Sequence, residues 1–137
     1  MSKPHDATDR TPPPALEVAR RYHDAWTQND FQEARRHLVA DLETDVPLST
    51  YADAVEFLAG LGGFAQLITD VTLLAELGDS GQAMLLYDLN VDSIGTLRVA
   101  EHFTVVNDRI TRIRHIHDTD ALRTAASQEP RDAGPGT

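Results

Sequence analysis

The sequence has 137 residues, of which 41% are hydrophobic and 25% charged, which fits one globular domain with a substantial core. Its net charge of −10 disfavours nucleic acid and anionic membrane surfaces, both of which need a basic footprint, and solubility alone accounts for the acidity. It contains no cysteine, which excludes disulfides, thiolate metal sites and thiol nucleophiles. No apolar run approaches the length of a membrane span, and the opening MSKPHDATDRTPPP lacks the apolar core of a signal peptide, so a cytoplasmic location is expected.

Residues 1–14 are polar, end in three prolines and are expected to form a flexible arm. From Ala15 to Gln28, Val18, Tyr22, Ala25 and Trp26 recur at helical spacing, widened by Leu16 and Ala19. Asn29 followed by Gln32 is a capping pair for a second helix near Asp30–Val39. LETDVP, Leu42–Pro47, is a short extended segment. Ser49 or Thr50 then caps a third helix over about Tyr51–Leu61, which the glycines at 60, 62 and 63 end. After that the pattern turns to strands: Gln66–Leu77, Gln82–Val91, and a pair of arms within Gly95–Asp118 joined by a turn at Asn107-Asp108. Residues from 123 onward are expected to be a flexible tail. Helices followed by an antiparallel meander give an α+β domain over residues 15–122. Strand Gln82–Val91 is apolar on both faces, which points to a homodimer through the outer face of the sheet.

The last two arms carry the chemistry. Val99, Glu101, Phe103 and Val105 share one face, and Ile113, His115 and His117 share another. Ionisable residues in the middle of apolar faces are costly unless they serve a pocket. Asp88, with Met84 and Leu86 on its own face, is assigned to the same pocket. The alternatives are a strand-end carboxylate near solvent for Asp88, a histidine satisfied by a neighbouring carboxylate for His115, and ordinary core residues for Tyr22 and Trp26. His115 and His117 could bind a metal with Asp88 or Glu101, but no spacing is diagnostic. No metal or cofactor is expected.

RRYHDAWTQNDFQEARRHL at the helical corner, LETDVP after it and AEHFTVVNDRITRIRHIHD near the end together resemble the nuclear transport factor 2-like superfamily, in its SnoaL-like and ketosteroid-isomerase-like branch. The resemblance spans about Ala15 to Asp118. It implies a cone: a curved, mostly antiparallel sheet wrapped round a long helix and enclosing an apolar pocket. It places Tyr22 at the oxyanion-hole tyrosine of the isomerases, Glu101 at the neighbouring carboxylic acid, and Asp45, or Val46, at the general base. His115 falls where related cyclases and epoxide hydrolases carry an acid, and Asp88 at a second acidic position of those hydrolases. Leu86 stands where their arginine is expected.

The function this implies is cofactor-independent acid–base chemistry on an apolar metabolite, of isomerase, cyclase, dehydratase or epoxide-hydrolase type. The expected roles are His115 as base or acid, Asp88 orienting it, Tyr22 and Glu101 donating to an oxyanion, and Asp45 as alternative base. Trp26, His117, Phe103, Met84 and Leu86 would line the ligand. A non-catalytic binding or dimerisation module is the alternative.

Overall fold

In the computed structural model, which describes residues 11–120 and 122–124, three helices bracket the first strand and precede a four-strand meander. Helix α1 spans Pro14–Thr27 and begins on a proline, whose fixed φ suits the first helical position. Its buried face comprises Ala15, Leu16, Val18, Ala19, Tyr22, His23, Ala25 and Trp26. Helix α2, Phe31–Arg36, is capped by Asp30, whose carboxylate accepts from Glu33 N at 3.1 Å. The capping pair therefore lies one residue beyond the expected Asn29 and Gln32. The helix also stops well before Val39, because strand β1, Leu38–Asp45, begins there and runs parallel to the last strand. The early strand is thus longer and earlier than Leu42–Pro47.

Helix α3, Ala54–Ala65, starts at Asp53, which accepts from Glu56 N at 3.0 Å, rather than at Ser49 or Thr50. It also runs through Gly60, Gly62 and Gly63 instead of ending there. Each glycine in a helix interior costs about 1 kcal/mol relative to alanine. Burial of Phe57, Leu58, Leu61 and Ala65 offsets this.

Strands β2 (Ile68–Gly78), β3 (Gln82–Val91), β4 (Gly95–Val106) and β5 (Arg109–His117) form the meander, and the sheet order is β1-β5-β4-β3-β2. The sheet is curved and does not close. The β4–β5 turn at Asn107 and Asp108 has φ of 53° and 65°, the positive values a two-residue hairpin of this twist needs. The core lies between α1 and the inner sheet face. Tyr22 there meets Phe103 edge-to-face at 5.8 Å between ring centroids.

The inner face of β3 carries Ala83, Leu85, Tyr87, Leu89 and Val91. This reverses the expected parity: Met84, Leu86 and Asp88 point outward. With apolar residues on both faces of β3, alternation did not fix which face is inner. On β4 the inner face carries Leu97, Val99, Glu101, Phe103 and Val105, and on β5 Ile113, His115 and His117 share a face, so the expected parity holds. No described helix is long and apolar enough to cross a membrane. The expected arm and tail fall mostly outside the described residues, apart from Pro14 inside α1 and a helical turn reaching residue 124.

Candidate functional site

An open-mouthed cavity of about 360 Å³ lies between α1, α3 and the inner face of the sheet. Trp26 of α1, Phe57 and Phe64 of α3, and Leu89, Leu97 and Val99 of the sheet supply its apolar walls. The loop after β1 adds Val46, Pro47, Leu48, Ser49 and Tyr51 to the lining. His115, His117 and Tyr87 bring polar groups to the wall.

Behind that wall lies a buried network. Glu101 sits directly across the β4–β5 ladder from His115 and is 1% exposed. Tyr87 donates its hydroxyl to Glu101 Oε1 at 2.7 Å, and His115 Nε2 meets Glu101 Oε2 at 2.6 Å. Burial pushes the Glu101 carboxyl up, but the charge and hydrogen bond of His115, with help from Tyr87 and His23, hold it below its ordinary value. Glu101 is therefore a carboxylate that accepts at both oxygens. Burial, reinforced by the Glu101 charge, pushes the Tyr87 and Tyr22 hydroxyls well above their usual range, so both stay protonated.

A carboxylate can only accept, so it is His115 Nε2–H that donates to Glu101. The edge of Phe57 packs against the His115 ring at 6.1 Å. His117 donates Nδ1–H to the Asp118 carbonyl at 3.1 Å, and its Nε2 has no hydrogen-bond partner among the described residues. Burial lowers the His23 imidazole below its usual value, and its ring lies 4.8 Å from that of Tyr87. Tyr22 Oη, His23 Nδ1 and Trp26 Nε1 are buried without a hydrogen-bond partner among the described residues.

No protein-family model matches the sequence, and no curated protein does either. Solved structures do. A protein from Kribbella flavida DSM 17836 is 33% identical with a TM-score of 0.79, over 88% of this chain and 98% of its own. An NTF2-like protein from Cytophaga hutchinsonii matches with a TM-score of 0.71 at 13% identity, over 82% of this chain and 97% of its own. A steroid delta-isomerase from Pseudomonas aeruginosa matches at 0.69 and 17%, over 89% and 93%. The last two likenesses are of fold alone. The chain has the fold of the NTF2-like proteins.

Within this fold the expected site residues divide. His115, His117 and Trp26 line the cavity. Glu101 lies immediately behind His115 and Tyr87, as an acceptor rather than the expected donor, because both its neighbours are themselves donors. Tyr22 and Phe103 sit deeper, in the closed core, and do not line the cavity. Asp88 is on the outer face, gripped by Arg98 through two bonds of 2.7 and 3.0 Å. Those bonds hold its carboxyl below its ordinary value, and it cannot orient His115. Met84 and Leu86 share that outer face. Asp45 ends β1 beside Arg114 and lines a separate charged cleft with Asp41, Glu43 and Arg112.

Sequence reasoning missed Tyr87, His23 and Tyr51. Tyr87 was findable, because it alternates with Leu85 and Leu89 once β3 is set by Leu85 opposite Glu101. His23 follows Tyr22 on α1, and only the width of the buried face admits it. Among the described residues no group of three or more His, Asp or Glu is arranged to hold a metal ion.

Proposed function

We propose that this NTF2-like protein binds an apolar, ring-bearing metabolite and moves a proton on it, in isomerase- or cyclase-type chemistry. The observation that carries this reading is the His115–Glu101–Tyr87 network at the cavity wall. A buried carboxylate that fixes the tautomer of a cavity-lining imidazole is the arrangement a general base needs. Nδ1 of His115 would take a proton from a ligand carbon made acidic by a neighbouring carbonyl and return it at another position. Tyr87 holds the carboxylate from the far side, so Glu101 stabilises the imidazolium formed in between. Ser49 and His117 are the lining groups able to meet charge that develops on the ligand oxygen. The aromatic walls suit a ring system.

Binding without turnover is the second reading. It is favoured by the placement of Tyr22, whose buried hydroxyl does not line the cavity and so gives a ligand oxyanion no dedicated donor.

The test begins with thermal-shift screening of steroid enones, aromatic polyketides and terpenoid epoxides. Ligands that bind are then incubated in D2O, and exchange of carbon-bound hydrogen is followed by NMR. His115→Ala should cut exchange by about 10²-fold while the protein stays folded. Exchange that survives His115→Ala overturns the assignment of the base. Binding with no exchange for any ligand establishes the second reading.

A further inference from the structure

Tyr51 occupies a position that the proposed chemistry does not use. It lines the apolar cavity on one side and the charged cleft of Asp41, Glu43, Asp45, Arg112 and Arg114 on the other. Its ring rests on Gly60 of α3. A Cβ at that position would fall 2.6 Å from Tyr51 Oη and 2.8 Å from Cε1. A glycine in a helix interior is unfavourable, and here its missing side chain is the seat of the ring. The ring also meets Phe57 edge-to-face at 5.5 Å, and Phe57 in turn packs on His115. The Tyr51 hydroxyl makes no hydrogen bond among the described residues, so packing alone holds the ring. Its backbone belongs to the loop between β1 and α3, outside any strand or helix.

We propose that Tyr51, seated on Gly60, is the specificity-determining end wall of the cavity: it limits the length of ligand accepted and separates the apolar chamber from the charged cleft. The proposal rests on the apolar-ligand reading above. With the ring in its seat, the cavity takes a short apolar body. With the ring displaced, the chamber opens into a polar cleft, and a longer ligand with a polar far end fits. The contact chain from Tyr51 through Phe57 to His115 makes the same wall set the distance between a ligand's end and the base.

A series of 4-alkylphenols, from 4-methylphenol to 4-nonylphenol, measures that length in the full chain by isothermal titration calorimetry. The phenol suits the histidine end and the alkyl tail probes the wall. Affinity should rise about fourfold per added methylene until the tail reaches Tyr51, and then fall. Tyr51→Ala should move this cut-off at least two carbons longer. Gly60→Ala, which keeps the ring but removes its seat, should move it the same way, and the double variant should go no further than Tyr51→Ala alone. Tyr51→Phe should keep the wild-type cut-off, because packing rather than the hydroxyl holds the ring among the described residues. Thermal melts establish that each variant is folded, and Tyr51→Ala decides the matter if Gly60→Ala does not fold. An unmoved cut-off in folded Tyr51→Ala overturns the wall while leaving the cavity reading intact. Failure of every phenol to bind the wild-type protein overturns the cavity reading and the wall with it.

Discussion

Replacing Glu101 by glutamine tests the buried network most directly. The carboxylate accepts from two donors, Tyr87 Oη at 2.7 Å and His115 Nε2 at 2.6 Å, in a site that is 1% exposed. A hydrogen bond to a charged group contributes roughly 1.5–3 kcal/mol, and a neutral one about 1 kcal/mol. Glutamine keeps one acceptor, for Tyr87, and turns an NH2 group toward His115. The imidazole must then accept at Nε2 and move its proton to Nδ1. Both bonds lose their charge assistance, for a net loss of about 2 kcal/mol at neutral pH. For a domain of this size that lowers Tm by roughly 8 °C.

The pH dependence has a definite sign. The carboxyl of Glu101 is held below its ordinary value of 4.5 in the folded protein. Its contribution is therefore fully present above that value and is lost as pH falls through the lowered folded one. Glu101→Gln should melt earlier than wild type at neutral pH, and the gap should narrow under acid. Thermal melts from about pH 3 to pH 8 measure the gap, and 15N NMR of the imidazoles reports the tautomer. An unchanged Tm together with an Nε2-protonated His115 in the variant would refute the network as the device that fixes the histidine.

Three further outcomes follow from the geometry. Asp88→Asn should leave both turnover and folding nearly unchanged, since its bonds run to an exposed Arg98 on the outer face and surface pairs contribute about 0–1 kcal/mol; a large loss of turnover would return Asp88 to the site. Leu48 lines the cavity mouth with φ of 70° and is 54% exposed. Leu48→Gly relieves about 1 kcal/mol of backbone strain and adds a similar chain-entropy cost, so Tm should barely move while affinity for an apolar ligand drops about fivefold, as calorimetry would show. Finally, the outer sheet face exposes Leu77, Met84 and Ile116. We propose that it pairs with a second copy over more than about 1,200 Å², so sedimentation should give a dimer that Ile116→Asp dissociates, and a wild-type monomer at micromolar concentration would overturn the pairing.

The sequence made the architecture readable because its signals were local. Strand β3 keeps the expected bounds of Gln82–Val91, and β4 those of Gly95–Val106. The Asn107-Asp108 turn marks the hairpin between β4 and β5. On that hairpin Glu101 and His115 interrupt otherwise apolar faces, so their joint placement could be read from alternation. Asp88 could not be placed that way, because Leu86 and Leu85 compete for the inner face and only pairing with β4 decides. The continuation of α3 through three glycines was hidden for a different reason. The compensation comes from Phe57, Leu58 and Leu61 packing in three dimensions, and Tyr51 reaching back over Gly60 is a contact no local pattern shows. The oxyanion roles carried by resemblance assumed that a matching position keeps its protonation state. At Glu101 two neighbouring donors reverse it.

The parallel pairing of β1 with β5 brings Leu38 against Ile110, across most of the described chain. Strands β2 to β5 can zip up through short turns, whereas this edge must wait for a long loop to close, which makes it the slow and entropically expensive step of assembly. Like β2 at the other edge, β1 is held on one side only, and such edges open more readily than the centre of a sheet. The loop lining the cavity is anchored to that edge through Asp45 and Val46. Amide hydrogens of β1 should therefore exchange faster than those of β4 at the centre of the sheet.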